Sequence, residues 1–205
     1  MTIQEWLRVE TDHVTLAIVF SDIVDSTKLQ REVGDQTYHS IRRAHFARAR
    51  HCIKEGAGHE VKTAGDSFFA VFRTAVAAFN FAVSLHDNTG DPRLKIRAGV
   101  HVGAMRIEDN NDFYGTAVNF TQRVMSVAKS GGVALSRDAK SQVEFEKAPE
   151  HGKIRFTRHE VQLQGFEGRH HVYLTDTPGM RAARVERASK QSLASKLFFG
   201  KHNVD

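Results

Sequence analysis

The sequence has little cysteine, little proline and no long apolar segment, and these shortages exclude several classes of protein. The single Cys52 cannot form an internal disulfide, which excludes a disulfide-stabilised secreted scaffold. No apolar run approaches the roughly 20 residues of a membrane-spanning helix, and the N-terminus lacks the pattern of a secretory signal. Three prolines and 40% hydrophobic residues are typical of a soluble globular chain. We therefore predict a cytoplasmic protein with a well-packed core.

Positive charge is concentrated at the C-terminus of the chain. The formal net charge is +5, and residues 179–205 contribute six basic and two acidic side chains, which is +4 of that total. The remaining 178 residues carry only +1, so the main domain is nearly neutral. This balance argues against nucleic acid as a partner of the domain.

Three segments are expected along the chain. Residues 1–13 form an N-terminal helix or arm, residues 14–177 form one domain, and residues 178–205 form a basic tail. The tail mixes apolar and basic residues, which leaves open a disordered arm, a helix packed on the domain or a helix on a membrane surface. We favour the first two.

The hydrophobic pattern of the domain alternates between strands and helices. A buried strand is predicted over residues 14–21, then one helix from Ser26 to about Glu55 capped by Ser26 or Thr27, then a hairpin with strands at 59–63 and 67–72. A helix from Thr74, a strand from Leu94, a helix over 114–128 and further short elements follow. The order predicts an α+β fold with a ferredoxin-like βαββαβ core and extensions, in which helices cover one face of a largely antiparallel sheet.

Two acidic residues are expected at the same edge of this sheet. Asp22 follows the first strand, and Asp66 lies at the hairpin turn. Each alone is an ordinary turn residue. Two neighbouring carboxylates repel each other unless a cation lies between them, and Mg²⁺ prefers oxygen ligands. Together they predict a metal site suited to phosphoryl transfer.

Three segments of the sequence resemble the class III nucleotidyl cyclase catalytic domain. Residues 20–27, FSDIVDST, resemble its Phe-x-Asp-Ile-x-Gly-Phe-Thr signature, and residues 61–68, VKTAGDSF, resemble its Lys-x-x-Gly-Asp motif. Residues 112–123, DFYGTAVNFTQR, are similar to its Asp-x-x-Gly-x-x-Val-Asn-x-x-x-Arg helix. The resemblance extends over about residues 14–175 and points to an adenylate cyclase.

The resemblance implies a role for each matching residue. Asp22, Asp66 and the backbone carbonyl of Ile23 would bind two Mg²⁺ or Mn²⁺ ions. Lys62 would donate to N1 of adenine and Asp112 would accept from its exocyclic amine, whereas guanylate cyclases typically carry Glu and Cys there. Asn119 would orient the ribose, and Arg123 would stabilise charge on the α-phosphate. Asn119 and Arg123 are four residues apart and therefore share one helix face.

In this family the metal-binding and base-binding residues of one site come from different chains. A chain that carries both sets implies a head-to-tail homodimer with two composite sites, which acts on ATP. The chain departs from the family at Asp25-Ser26, where Gly-Phe is usual, and at Gln164, where many relatives carry a lysine near the triphosphate. Lys153, Arg155 or Arg169 are candidates to replace that lysine.

Two alternative functions stay open on the sequence alone. A stand-alone pyrimidine cyclase of phage defence would use the same chemistry on CTP or UTP, although Lys62 and Asp112 argue against it. A catalytically silent cyclase-like module would bind nucleotide or a partner without turnover, although all the expected site residues are present.

Overall fold

The computed structural model describes residues 2–8, 10–87, 89–108, 112–128, 132–146 and 154–176. The helices are α1 (Ile3–Leu7), α2 (Ser26–Val33), α3 (Asp35–Glu55), α4 (Ala75–Asp87), α5 (Thr116–Val127) and α6 (Arg137–Phe145). The strands are β1 (His13–Ile23), β2 (His59–Ala64), β3 (Ser67–Phe72), β4 (Ile96–Ile107), β5 (Phe113–Tyr114), β6 (Gly132–Ser136), β7 (Arg155–Val161) and β8 (His170–Asp176). Lys153 and the predicted basic tail, residues 178–205, lie outside the described residues.

All eight strands join one sheet with β1 near its centre. The order is β2-β3-β1-β4-β6-β8-β7, and the short β5 pairs with β4. Only β4 and β6 run parallel among the pairs of described strands. The neighbours β4-β1-β3-β2 have the strand order of a ferredoxin-like βαββαβ unit. The predicted α+β class and largely antiparallel sheet are therefore confirmed.

One face of the sheet, called here the α4 face, carries the larger core. Val19 of β1, Phe72 of β3 and Val100 of β4 are buried there against Phe79 of α4. Helices α3 and α6 add buried side chains to the same cluster, including Tyr38. This continuous apolar layer holds the three central strands in position.

The opposite face, called here the α5 face, is covered by α1 and α5, so the prediction that helices cover only one face is wrong. Phe20 stacks on Phe69 there, with ring centroids 4.4 Å apart. Two glycines of β4 create the space for α5: a Cβ at Gly99 would lie 2.5 Å from the backbone N of Met125. A Cβ at Gly103 would lie 2.5 Å from that of Ala117. The missing side chains of these two glycines, on either side of His101, therefore admit the second helical layer.

Three local predictions are also corrected. Strand β1 does not stop before Asp22 but continues to Ile23, because its ladder with β4 pairs Asp22 with Arg97. The single helix expected from Ser26 to Glu55 is two helices separated at Gly34, whose φ of 82° interrupts the helical backbone. The N-cap of α2 is Asp25, which has φ 54° and no side-chain cap, rather than Ser26 or Thr27.

The N-terminal helix expected within residues 1–13 is present as α1. Thr2 and Glu5 form a reciprocal capping box, which explains why so short a helix persists. Ile3 and Trp6 are buried against the α5 face, and Arg73 donates to the backbone carbonyl of Trp6. None of the helices in the described segments combines the length and apolar character that crossing a membrane requires.

Candidate active site

Asp22 lies at the end of β1 on the α5 face, with both carboxylate oxygens engaged. Arg97 of β4 donates to Oδ2 from Nε at 3.1 Å and from Nη2 at 2.5 Å. Ser67 donates to Oδ1 from its hydroxyl at 3.2 Å. The antiparallel register places Arg97 directly across from Asp22, so the pairing follows from the sheet itself. The carboxylate is only 17% exposed, and Arg97 supplies its counter-charge.

Asp66 lies in the turn between β2 and β3, next to Ser67. Its Oδ1 is 3.7 Å from Nη1 of Arg42, which also donates to the carbonyl of Gly65 at 3.4 Å. Burial raises the pKa of the Tyr38 phenol, and the nearby Asp66 carboxylate raises it further. Asp22, near the end of β1, and Asp66, in the turn before β3, therefore lie at the same end of the paired strands, and Ser67, the residue after Asp66, contacts Asp22.

Lys62 and Asp112 form an ion pair, so the structure brings the two predicted base-binding residues together. Asp112 also accepts a hydrogen bond from the backbone N–H of Phe113 at 2.8 Å, which fixes its orientation. Lys62 is half-exposed and lies opposite Phe69 in the ladder, on the α5 face. Two strand spacings and two residues along β1 separate it from Asp22, a Cα distance of about 12 Å.

Asn119 and Arg123 project from the outer side of α5. The inner side of this helix buries Ala117, Thr121 and Val124 towards the sheet. Asn119 is exposed, Arg123 is partly exposed, and neither side chain forms a hydrogen bond or ion pair with another described residue. The structure therefore does not bring them into contact with Asp22 or Asp66 of the same chain.

The carboxylates of Asp22 and Asp66 are hard oxygen donors of the kind that suit Mg²⁺ or Mn²⁺. Within the described ranges, no group of three or more His, Cys, Asp or Glu side chains is arranged to hold a metal ion. A small hard cation usually keeps several waters and shares its shell with substrate phosphates, so two carboxylates and a backbone carbonyl such as that of Ile23 fit it. The donor set is consistent with a metal whose remaining coordination positions are filled by water or by nucleotide phosphates.

Four residues around the carboxylates were missed by sequence reasoning. Arg97 and Ser67 contact Asp22, while Arg42 and Tyr38 approach Asp66. Only the register of β1 against β4 could have indicated Arg97, since an antiparallel partner begins where β1 ends. The other three depend on how α3 and the hairpin pack, which has no local sequence signal.

Among the described residues near Gln164, neither Arg155 nor Arg169 forms an ion pair with Asp22 or Asp66. Gln164 is exposed in the connection between β7 and β8. Arg169 is 3.8 Å from Glu160, and Arg155 lies on the exposed side of β7. Phe166 of the same connection packs edge-to-face on Phe120 of α5 at 5.0 Å, so this connection is attached to the helix that carries Asn119.

Comparison with known proteins assigns the family. Residues 9–176 match the model of the adenylate and guanylate cyclase catalytic domain. The chain belongs to this family. The adenylate cyclase of Schizosaccharomyces pombe is 32% identical to this cyclase domain over 156 residues, covering 62% of the chain and 9% of the yeast protein. An adenylate cyclase of Glutamicibacter nicotianae is 30% identical over 118 residues, covering 57% of the chain and 29% of that protein. The cyclase domain therefore spans less than a third of these curated relatives.

Solved structures show the same fold. The adenylyl cyclase CyaB of P. aeruginosa has a TM-score of 0.70 at 20% identity, covering 82% of this chain and 96% of that chain. The catalytic core of a rhodopsin-guanylyl cyclase with converted specificity, in complex with ATPαS, has a TM-score of 0.69 at 18% identity, covering 82% and 99%. Adenylyl and guanylyl cyclases both superpose on this cyclase domain, so the fold alone does not determine the base.

Proposed function

We propose that the domain is an adenylate cyclase that converts ATP to 3′,5′-cyclic AMP and pyrophosphate. The observation that carries the proposal is the ion pair between Lys62 and Asp112. It places an obligate donor beside an obligate acceptor, which matches N1 and the exocyclic amine of adenine and opposes the edge of guanine. The curated relatives described above are adenylate cyclases, which supports the same base.

The remaining residues suit an attack of the ribose 3′-oxygen on the α-phosphate. Asp22, Asp66 and the carbonyl of Ile23 would hold two Mg²⁺ or Mn²⁺ ions, which would activate the attacking oxygen and neutralise the triphosphate. Asn119 would orient the ribose. Arg123 would stabilise the charge that develops on the α-phosphate, since a fixed cation in a preorganised site costs no reorganisation during reaction.

Arg97, which is paired with Asp22, would take part in binding the triphosphate. A cation bound to Asp22 would compete with the guanidinium for the same carboxylate oxygen. Arg97 would then be released at the sheet edge, next to the triphosphate. Arg97 would then supply the positive charge near the triphosphate that the neutral Gln164 cannot. Lys153, Arg155 and Arg169 would not be needed for this role.

A head-to-tail homodimer would complete each site. Asn119 and Arg123 face away from their own sheet, so they are available to a nucleotide held by Asp22 and Asp66 of a second copy. The monomer would then be inactive. We also retain residues 14–177 as the catalytic unit, flanked by an N-terminal arm and a basic tail, in a cytoplasmic protein.

The identity of the product tests the base. Purified protein is incubated with ATP, GTP, CTP or UTP and Mn²⁺, and the products are identified by mass spectrometry. We expect cyclic AMP and pyrophosphate from ATP. Cyclic CMP or cyclic UMP as the main product would identify a pyrimidine cyclase instead. Nucleotide binding without any cyclic product would identify a silent module.

Complementation tests the composite site. Asp22→Ala and Arg123→Ala should each be inactive alone. When the two proteins are mixed in equal amounts, half of the dimers are mixed and one of their two sites is intact, so activity should recover to about a quarter of wild type. Full activity of Asp22→Ala would remove the proposed metal site, and absence of recovery in dimers that have exchanged subunits would place each site within one chain.

A further inference from the structure

We propose that Tyr38 is a positioning residue for Asp66: its hydroxyl donates a hydrogen bond to one carboxylate oxygen and so directs the other towards the divalent ion. This inference rests on the proposed function, because it assigns a purpose to Tyr38 only if Asp66 binds a cation. It concerns a residue of α3, outside the three segments that resemble the cyclase motifs.

The hydroxyl of Tyr38 is a buried hydrogen-bond donor that has no well-formed acceptor among the described residues. The side chain is 5% exposed and belongs to the core of the α4 face. Its oxygen forms no hydrogen bond of normal geometry with the described residues. Asp66 and Ser26 nevertheless lie close enough to affect its pKa. A buried hydroxyl without a hydrogen-bond partner destabilises a protein. A small movement of Asp66 would bring a carboxylate oxygen within hydrogen-bond distance of this hydroxyl.

Helix α3 holds the turn through a second side chain, one turn further along. Arg42 follows Tyr38 by four residues, contacts Asp66 at 3.7 Å and donates to the carbonyl of Gly65. Tyr38, Arg42 and Asp66 line one cleft of about 530 Å³ between α2, α3 and the turn. Both side chains therefore reach Asp66 from the helix side, while Ser67 turns towards Asp22 on the other side.

The two side chains of α3 differ in how they act when a cation binds. Arg42 is positive, so it repels a divalent ion on Asp66, and its 3.7 Å contact with the carboxylate should weaken when the ion binds. Tyr38 is neutral and donates without adding charge. It can keep one oxygen of Asp66 fixed while the other is bound to the ion, which is the arrangement expected around a carboxylate ligand.

Tyr38→Phe tests this role, because the substitution removes the hydroxyl and keeps the buried ring. Tyr173→Phe is the matched control, since Tyr173 lies on β8, where its ring contacts Lys140 rather than the site. Binding of Mn²⁺ alone to the full chain is measured by electron paramagnetic resonance. Asp66→Asn is the reference variant, because it lacks the charged carboxylate. We expect Tyr38→Phe to bind Mn²⁺ about 5- to 10-fold more weakly than wild type and Tyr173→Phe to bind it equally.

A second readout separates positioning from a merely structural role. We expect Tyr38→Phe to melt at the wild-type temperature or above, because it loses an unpaired buried hydroxyl. In the cyclase assay its kcat should fall while its KM for ATP stays unchanged. Equal Mn²⁺ affinity of Tyr38→Phe and wild type, with weaker binding by Asp66→Asn, would overturn the role of Tyr38 alone. Equal affinity of Asp66→Asn and wild type would overturn both this role and the proposed metal site.

Discussion

Gly103 of β4 lies beneath Ala117 of α5, and an alanine at position 103 should push the strand and the helix apart. The new Cβ would lie 2.5 Å from Cβ of Ala117 and 2.9 Å from Nε2 of His101, whereas carbon atoms in contact normally lie about 3.5–4.0 Å apart. Overpacking of this kind costs about 1–3 kcal/mol. For a domain of this size that corresponds to a fall in Tm of about 2–12 °C.

The substitution Ala117→Gly makes the prediction specific to this contact. Alone it should cost about 1 kcal/mol, because glycine is a poor helix former. In the double variant the opposing methyl group is absent, so the cost of Gly103→Ala should shrink. A favourable coupling energy of about 1–2 kcal/mol is therefore expected. Urea unfolding followed by circular dichroism measures each free energy of unfolding.

Gln122→Ala is the matched control, since Gln122 lies on the exposed side of the same helix. It should change stability by less than about 0.5 kcal/mol. Strict additivity of Gly103→Ala and Ala117→Gly would refute the close packing of α5 on β4. Because Asn119 and Arg123 are carried by α5, Gly103→Ala should also reduce cyclase activity far more than Gln122→Ala does.

Three further outcomes follow from other parts of the structure. Asp25→Gly should be neutral or stabilising by up to about 1 kcal/mol in urea unfolding, because Asp25 has φ 54°, which glycine adopts freely; a clear loss of stability would contradict that backbone. Burial, and then the charge of Arg48, lowers the pKa of His45 from 6.5 to about 4. His45 therefore stays neutral in the native state, and the protein should lose up to about 3 kcal/mol as the pH falls from 6.5 to 4. His45→Gln should flatten that part of the stability profile, and an unchanged slope would place the proton elsewhere. Lys62→Met should change Tm by only a few degrees, since an exposed ion pair with Asp112 contributes about 1 kcal/mol or less. Its preference for ATP over GTP should fall by about tenfold or more, and an unchanged preference would exclude Lys62 from base recognition.

Most of the order of elements was predictable from the sequence because most helices and strands have a clear local pattern, whereas the two-residue strand β5 was not predicted. Gly56 ends α3 as predicted, and alternation or continuous apolar runs mark the strands, as in the hairpin of β2 and β3. The break at Gly34 was missed because the apolar pattern continues across it from Leu29 to Tyr38. The extension of β1 through Asp22 was missed because its last residues are stabilised by pairing with β4, which is distant in sequence.

The candidate site was predictable only where a contiguous motif carries it. Lys62 and Asp112 were identified from separate motifs, and their ion pair shows that those motifs meet in space. Arg97 and Tyr38 belong to no such motif. Their positions beside Asp22 and Asp66 depend on strand register and helix packing, which are properties of the whole fold.

The contact between Arg97 and Asp22 affects whether the domain needs a metal ion in order to fold. A largely buried carboxylate without a counter-charge would oppose folding until an ion bound, as happens in domains that fold only around their metal. Here Arg97 supplies the counter-charge from within the chain, so we expect the domain to fold in metal-poor conditions. Scarcity of Mg²⁺ or Mn²⁺ should therefore lower the output of the proposed cyclase without lowering the amount of folded protein.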